Sequence, residues 1–216
     1  MQIQNINHTD FTSRNKTIRF ADDISRRVNK CYPRISSTLV DDFNTAKHFK
    51  DYRIKLYKRV DALRNDMNDC YNDADTLIGR ILAITKTVKK HRIGNCGESA
   101  LLAEIIAKIN GIKDCYVASL KTSRGKNLDH SVLFVNDKNP YIIDAWLGFA
   151  DFVPKAIERF QNEFRAHFNI KDNDKLVLKK LNNDDYSECL NQNFSRRQIN
   201  KLKRIYPNHV IRCGYV

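Results

Sequence analysis

The sequence predicts an α+β fold, in which a central helix that carries a cysteine packs on a small antiparallel sheet, with further helices at both ends of the chain. Apolar residues recur at alternating spacings of four and three from Leu56 to Val88, which is typical of a helix with one packed face. Further along, short runs rich in β-forming residues at 115–120, 130–135 and 141–146 indicate strands. A helical half followed by short strands favours the α+β class.

The composition is that of a globular protein. The chain has 216 residues, of which 42% are hydrophobic, enough for one core with a helical extension. No apolar run reaches the length of a membrane-spanning helix, and the first thirty residues lack the apolar centre of a Sec-type signal peptide. We therefore expect a soluble protein that is made in the cytoplasm and has no membrane partner.

The net charge of +13 does not by itself predict nucleic-acid binding. Along 55–66 the basic residues alternate with acidic ones, as on a solvated helix face. The densest basic stretch, 195–204, has no signature of a nucleic-acid module beside it. We expect no nucleic-acid partner, and the charge is compatible with an acidic protein partner.

The six cysteines predict free thiols rather than a disulfide scaffold. They are scattered, with no C-x-x-C pair and no short metal-type spacing, so neither a metal nor another cofactor is expected. Cys70 fits the apolar stripe of the helical region, and Cys115 lies in a strand-like run. The cysteines are Cys31, Cys70, Cys96, Cys115, Cys189 and Cys213.

The N-terminal part, residues 1–90, is predicted to form an arm and a long helical region that packs on a core, residues 91–216, which ends in a basic tail. Residues 1–20 carry few apolar anchors and are expected to form an irregular or loosely docked arm. The run over 56–88 belongs to one long helix or to a helical hairpin broken near residues 72–73. Packing within the chain is favoured over a dimer surface for this run.

The segment Gly94-Asn-Cys-Gly-Glu predicts a helix that starts at Cys96. Asn95 is a good N-cap, and Glu98 is placed to complete a capping box. The residues that follow are apolar on nearly every side, so the helix belongs in the core. A helix N-terminus favours an anion, and the thiolate is the reactive form of cysteine. Cys96 is therefore a candidate nucleophile.

Two of the predicted strands supply an imidazole and a carboxylate on one face. If the hairpin turns about Asp137, His130 lies directly opposite Asp144, and a slip of one residue makes the pair diagonal. The side chain of Asp129 should point to the opposite face. A cysteine, a base and an orienting acid are the parts of nucleophilic acyl transfer.

These motifs resemble the transglutaminase-like core of the papain-type cysteine enzymes. The resemblance covers about residues 90–150, and Gly-Asn-Cys-Gly-Glu is similar to bacterial effector-type members, which include proteases and glutamine deamidases. Two positions differ, since Gly97 stands where many members have an aromatic residue and Ala145 where proline is frequent. The matching segments are Gly94-x-Cys96-x-x-x-Ala100-x-Leu102, Gly111-Ile112, Asp129-His130-Ser-Val and Tyr141-Ile-Ile-Asp144-x-Trp146.

The resemblance and the residue pattern together imply thiol-dependent acyl transfer on a protein amide. Cys96 is the expected nucleophile, His130 the general base and then acid, and Asp144 the residue that orients the imidazole. The Cys96 backbone N–H would bind the oxyanion, with Asn95 or His91 as the second donor. Protease, deamidase and transglutaminase chemistry stay open, and so does secretion into a host cell as an effector.

The substrate groove is expected beside these residues. The turn over 122–127 precedes His130 and is placed to border the groove. The groove candidates are Gly94, Arg124, Gly125 and Trp146.

The alternative interpretation is a binding module without enzymatic activity. In that case the helical region or the basic tail binds a protein partner and Cys96 is incidental. Nucleic-acid binding is a less favoured alternative, and it would weaken steeply with salt.

Overall fold

The fold is α+β, with six helices and a five-stranded antiparallel sheet among the described residues. The computed structural model describes residues 8–33, 47–168, 171, 173–181 and 194–211. The sheet order is β4-β3-β2-β1-β5. Within these ranges no helix is both long and apolar enough to cross a membrane. The helices are α1 (His8–Cys31), α2 (Lys47–Asn72), α3 (Leu77–His91), α4 (Cys96–Ile109), α5 (Val153–Phe168) and α6 (Arg196–Ile205), followed by a 3₁₀ turn, Pro207–His209. The strands are β1 (Cys115–Thr122), β2 (Asn127–Val135), β3 (Tyr141–Asp144), β4 (Phe149–Phe152) and β5 (Leu176–Lys180).

Helix α4 lies at the centre of the larger hydrophobic core. It contacts β1, β2 and β3 of the sheet as well as α1, α3 and α6. Every residue from Glu98 to Ile109 is buried, as expected for a helix with apolar residues on nearly all sides. Only the start of α4 is partly open to solvent, since Cys96 and Gly97 are half-buried.

The sheet separates two hydrophobic clusters. Leu133 and Val135 of β2 belong to the larger cluster with α4, while Val132 belongs to a smaller cluster formed with α5. This division follows from the alternation of side chains along a strand. From α5 the smaller cluster receives three buried apolar side chains at intervals of four residues: Ala156, Phe160 and Phe164.

The helical hairpin is confirmed, but one residue of its predicted apolar stripe is not. The chain breaks between α2 and α3 at residues 73–76, where Thr76 caps α3 by accepting from the Gly79 N–H at 3.0 Å. Cys70 is exposed and Tyr71 is buried in its place. Steps of three and of four residues both stay on one face of an α-helix, and after Met67 the buried stripe takes the step of four to Tyr71 instead of the predicted step of three to Cys70.

Two further features differ from the sequence analysis. Residues 8–20, expected to belong to an irregular or loosely docked arm, form the first half of α1, and Ile18 and Phe20 pack against the core. Residues 149–152 form β4, paired with β3, a strand that is not among the three predicted ones. The prediction for 1–7, and those for Cys189 and Cys213, lie outside the described residues.

Helix α4 also buries a carboxyl group. Glu104 is fully buried, and neither of its carboxyl oxygens has a hydrogen-bond partner in the part of the chain that is described. Burial raises the pKa of Glu104 to about 8, against the opposing charges of Lys108 and Lys180. The carboxyl is therefore mostly protonated at neutral pH, which spares the core a buried charge.

The packing of α2 can be tested by substitution at its buried and exposed faces. Leu63 is fully buried, so Leu63→Ala should lower the free energy of unfolding by about 2–5 kcal/mol. Cys70→Ala, on the exposed side of the same helix, should change it by less than about 0.5 kcal/mol. Urea denaturation measures both, and similar losses for the two variants would contradict this packing.

Candidate active site

Cys96 is the first residue of α4, and a capping box holds the helix start in place. The Asn95 N–H donates to Glu98 Oε2 at 2.7 Å, and the Ser99 hydroxyl donates to the Asn95 carbonyl at 2.7 Å. Gly94 and Asn95 are buried beside the half-buried Cys96. The thiol is therefore carried on a rigid helix N-terminus, where free N–H groups favour an anion.

Arg64 of α2 binds the same helix start, which the sequence analysis did not predict. Its Nε–H donates to Glu98 Oε1 at 2.8 Å; the Glu98 side chain is 4% exposed and that of Arg64 50%. Burial lowers the pKa of Arg64. The net shift is nevertheless upward, because the charge and hydrogen bond of Glu98 and the charges of Asp61 and Cys96 raise it. In the sequence Arg64 is one of many charges on α2, and nothing local points to a partner 34 residues away.

His130 and Asp144 form a buried hydrogen-bonded pair. The His130 Nε2–H donates to Asp144 Oδ2 at 2.6 Å, and the side chains are 3% and 0% exposed. The other oxygen, Oδ1, accepts from the backbone N–H groups of Trp146 and Leu147 at 3.0 and 2.9 Å. Because both oxygens are bound, the carboxylate holds one orientation and fixes the imidazole in turn.

The strand register differs from the prediction by one residue in the turn. Val135 pairs with Tyr141, so the turn is centred one residue beyond Asp137. The directly opposed arrangement of His130 and Asp144 is therefore wrong, and the diagonal alternative describes the pair. Diagonal neighbours on one face stay within reach of long side chains, which explains the short hydrogen bond.

A bulge in β2 precedes His130. Between the pairs Ser119↔Ser131 and Lys121↔Asn127, β2 advances by four residues while β1 advances by two. Inside this bulge Asp129 adopts a left-handed conformation with φ of 48°. Bulges next to functional sites turn a side chain away from the regular strand direction. Here the bulge sets the direction in which the next residue, His130, leaves the strand.

The bulge also brings the backbone of β2 to the thiol. The Cys96 Sγ–H donates to the Asp129 carbonyl oxygen at an Sγ–O distance of 3.6 Å. The Asp129 side chain is exposed, whereas that of His130 is buried. The contact places the start of α4 against the strand segment that carries His130.

The His130 ring lies among aromatic side chains and contacts the thiol. Burial by itself lowers the pKa of His130. The charge and hydrogen bond of Asp144, with a further contribution from Cys96, raise it well above its ordinary value. Cys96 lies close enough to the imidazole for its hydrogen bonding and its charge to act on the pKa of His130. Since Nε2 is bound to Asp144, Nδ1 is the ring nitrogen left for the thiol. The rings of Trp146, Phe160 and Phe164 lie 5.4, 5.5 and 5.0 Å from the imidazole.

Two other predicted site residues, His91 and Arg124, bind carboxylates away from the thiol. The His91 ring is bound through Nε2 to Asp66 of α2 at 2.8 Å. Arg124, in the turn between β1 and β2, pairs with Asp174 at 2.9 Å. Gly125 has a φ of 85° in the same turn, which glycine adopts without strain. This turn precedes the bulge, and no contact described here joins Arg124 or His91 to the Cys96 thiol.

Taken together, the arrangement is suited to nucleophilic chemistry at a thiol. It provides a sulfur on a helix N-terminus, an imidazole in contact with it, and a carboxylate that orients the imidazole. Comparisons with family models, curated proteins and solved structures find no match to this chain.

The link between Arg64 and Glu98 can be tested by removing the guanidinium. Arg64→Met leaves the buried Glu98 carboxylate without its partner, so the free energy of unfolding should fall by about 1.5–3 kcal/mol. The control is Arg26→Met, because Arg26 is 70% exposed and pairs with Asp23 on the surface, a contact that contributes less than about 1 kcal/mol. Equal losses in urea denaturation would show that Arg64 does not hold the helix start.

The raised pKa of His130 predicts a pH-dependent contribution to stability. The folded state holds the proton more tightly than the unfolded chain, so the contribution is complete below about pH 6.5 and is lost as pH rises toward the raised pKa. The difference in unfolding free energy between the protein and His130→Gln should therefore shrink by at least about 1 kcal/mol between about pH 6.5 and 9. Urea denaturation under reducing conditions measures it, and a constant difference would contradict a protonated His130.

Proposed function

We propose that this chain is a thiol-dependent acyl-transfer enzyme acting on protein amides, of the transglutaminase-like or papain-like kind. The observation that carries the proposal is the buried 2.6 Å hydrogen bond between His130 and Asp144, with Cys96 as the second partner of the imidazole. In this arrangement Cys96 is the nucleophile, His130 the general base and acid, and Asp144 the orienting residue.

The first half of the reaction makes a thioester. The raised pKa of His130 favours the imidazolium, whose Nδ1 proton comes from Cys96 Sγ. The resulting thiolate attacks the carbonyl carbon of the amide. The Cys96 N–H at the helix N-terminus donates to the oxyanion. Of the two candidates for the second donor we favour Asn95, because Asp66 occupies His91 Nε2. Collapse of the tetrahedral intermediate breaks the C–N bond, and the leaving amine or ammonia takes the proton from His130.

The second half resolves the thioester. His130 takes a proton from the incoming nucleophile, and the Cys96 sulfur leaves as thiolate and recovers the proton through the imidazole. Water gives a cleaved peptide or a deamidated glutamine, and an amine gives a new amide. Asp144 keeps its hydrogen bond to Nε2 and orients the imidazole throughout.

The burial pattern bears on how a substrate reaches the thiol. His130 and Asp144 are buried behind the aromatic rings of Trp146 and Phe164, while Cys96 is half-buried at the helix start. A substrate therefore meets the sulfur first, and its amide must lie on an extended peptide or at the end of a long side chain. Glutamine side chains and extended backbone amides both satisfy this requirement.

Selective alkylation tests whether Cys96 is an activated thiol. At about pH 6, iodoacetamide should modify Cys96 about 10- to 100-fold faster than the exposed Cys70, because Cys96 is paired with an imidazolium and Cys70 is not. His130→Gln should remove most of the difference. Peptide mass spectrometry measures the rates, and equal modification of the two cysteines in the unmodified protein would overturn the proposal.

A substrate assay tests the reaction itself. The protein is incubated with casein and a biotinylated primary amine, and mass spectrometry then separates backbone cleavage, deamidation at glutamine and amine incorporation. Cys96→Ala should lower the product by at least about 10³-fold, and Asp144→Asn should cost less because it removes an orienting charge and not the nucleophile. Product formation that is the same with Cys96→Ala as with the unaltered protein would contradict the mechanism.

A further inference from the structure

A separate cavity lies at the C-terminal ends of α1 and α3, against the segment that follows α6. Its volume is about 520 Å³, within the range of cavities that hold small molecules. None of the residues proposed for catalysis lines it. The described lining consists of Arg27, Lys30, Cys31, Lys89, Ile205, Tyr206, Pro207, Asn208 and His209.

One wall of this cavity is basic. Arg27, Lys30 and Lys89 contribute three cations, and the described lining contains no acidic side chain. The Arg27 guanidinium is held in place because its Nη1 donates to the Asn208 carbonyl at 2.5 Å. Helix C-termini carry only about half a negative charge each, so the dipoles of α1 and α3 leave this wall with net positive charge.

The buried His209 in the cavity lining reports this positive charge. Burial, followed by the charges of Lys89 and Arg27, lowers the pKa of His209 to about 4. His209 is therefore neutral at physiological pH. Among the described residues no carboxylate forms an ion pair with Arg27, Lys30 or Lys89.

Another part of the lining, which we call the apolar wall, is apolar and aromatic. Ile205 is 38% exposed and lies next to Tyr206 and Pro207. The Tyr206 ring stacks on His209 with centroids 4.6 Å apart, and its hydroxyl is hydrogen-bonded to Thr85 Oγ1 at 2.5 Å. This wall is thus held in shape before any ligand arrives, which lowers the entropic cost of binding.

We propose that this cavity binds a small phosphate monoester that carries an aromatic or apolar group. The phosphate would lie between Arg27, Lys30 and Lys89, since guanidinium and ammonium groups are the usual donors to phosphate. The apolar group would lie against Ile205, Tyr206 and Pro207. The site is independent of the proposed acyl-transfer chemistry, because the two share no residue.

Titration of the full chain with phenyl phosphate tests the proposal. In ¹⁵N–¹H correlation spectra at constant ionic strength, the backbone amides of Cys31, Asn208 and His209 should shift saturably, with a Kd of about 0.1–1 mM. Inorganic phosphate should bind about 3- to 10-fold more weakly because it leaves the apolar wall uncovered. Equal affinity for the two would overturn the assignment of the apolar wall, and the absence of saturable shifts would overturn the site.

Matched variants separate the site from the general positive charge of the protein. Lys30→Met and Lys89→Met should each weaken phenyl phosphate binding about 3- to 10-fold, and exposed lysines can be replaced with little effect on folding. Lys86→Met is the control, because Lys86 is exposed on α3 one turn earlier and does not line the cavity. Equal weakening by Lys86→Met and Lys89→Met would overturn the proposal, while unchanged binding by Cys96→Ala would support a separate site.

Discussion

The burial of α4 is the constraint on which the rest of the structure depends. All residues from Glu98 to Ile109 are enclosed, so the sheet must cover one side of the helix and α1, α3 and α6 the others. A helix with no polar face cannot lie at the surface without exposing apolar area to water. Its N-terminus is the one end that stays partly open, and that end carries Cys96. The same packing that stabilises the fold thus leaves the thiol within reach of solvent.

The candidate triad lies where the two hydrophobic clusters approach each other. Cys96 belongs to the helix of the larger cluster, whereas the His130 ring contacts Phe160 and Phe164 of the smaller one. A regular strand would separate these two layers by the thickness of the sheet. The bulge around Asp129 changes the course of β2 at the point where the layers meet, and it brings the thiol and the imidazole together. The bulged backbone around Asp129 therefore belongs to the candidate site.

The features that the sequence predicted correctly depend on neighbouring residues. The capping box before α4, the break in the helical hairpin and the strands that carry His130 and Asp144 all follow from local spacing. The features that it missed depend on pairing across the chain. Residues 149–152 become β4 because β3 offers a free edge, and the four residues alone are too short to show a strand period. Tyr71 takes the place of Cys70 in the core because steps of three and of four residues both fit the helical pattern, and packing against neighbouring elements decides between them.

The sequence by itself determined the α+β class, the helix that starts at Cys96, and the presence of a histidine and an aspartate on one face of adjacent strands. These follow from hydrophobic periodicity and capping, which act over a few residues. Only the tertiary structure decided the register that makes the pair diagonal, the bulge that directs His130, and the Arg64–Glu98 contact between α2 and α4. These contacts join elements that are distant in sequence, so their geometry is set by how the whole core packs around α4.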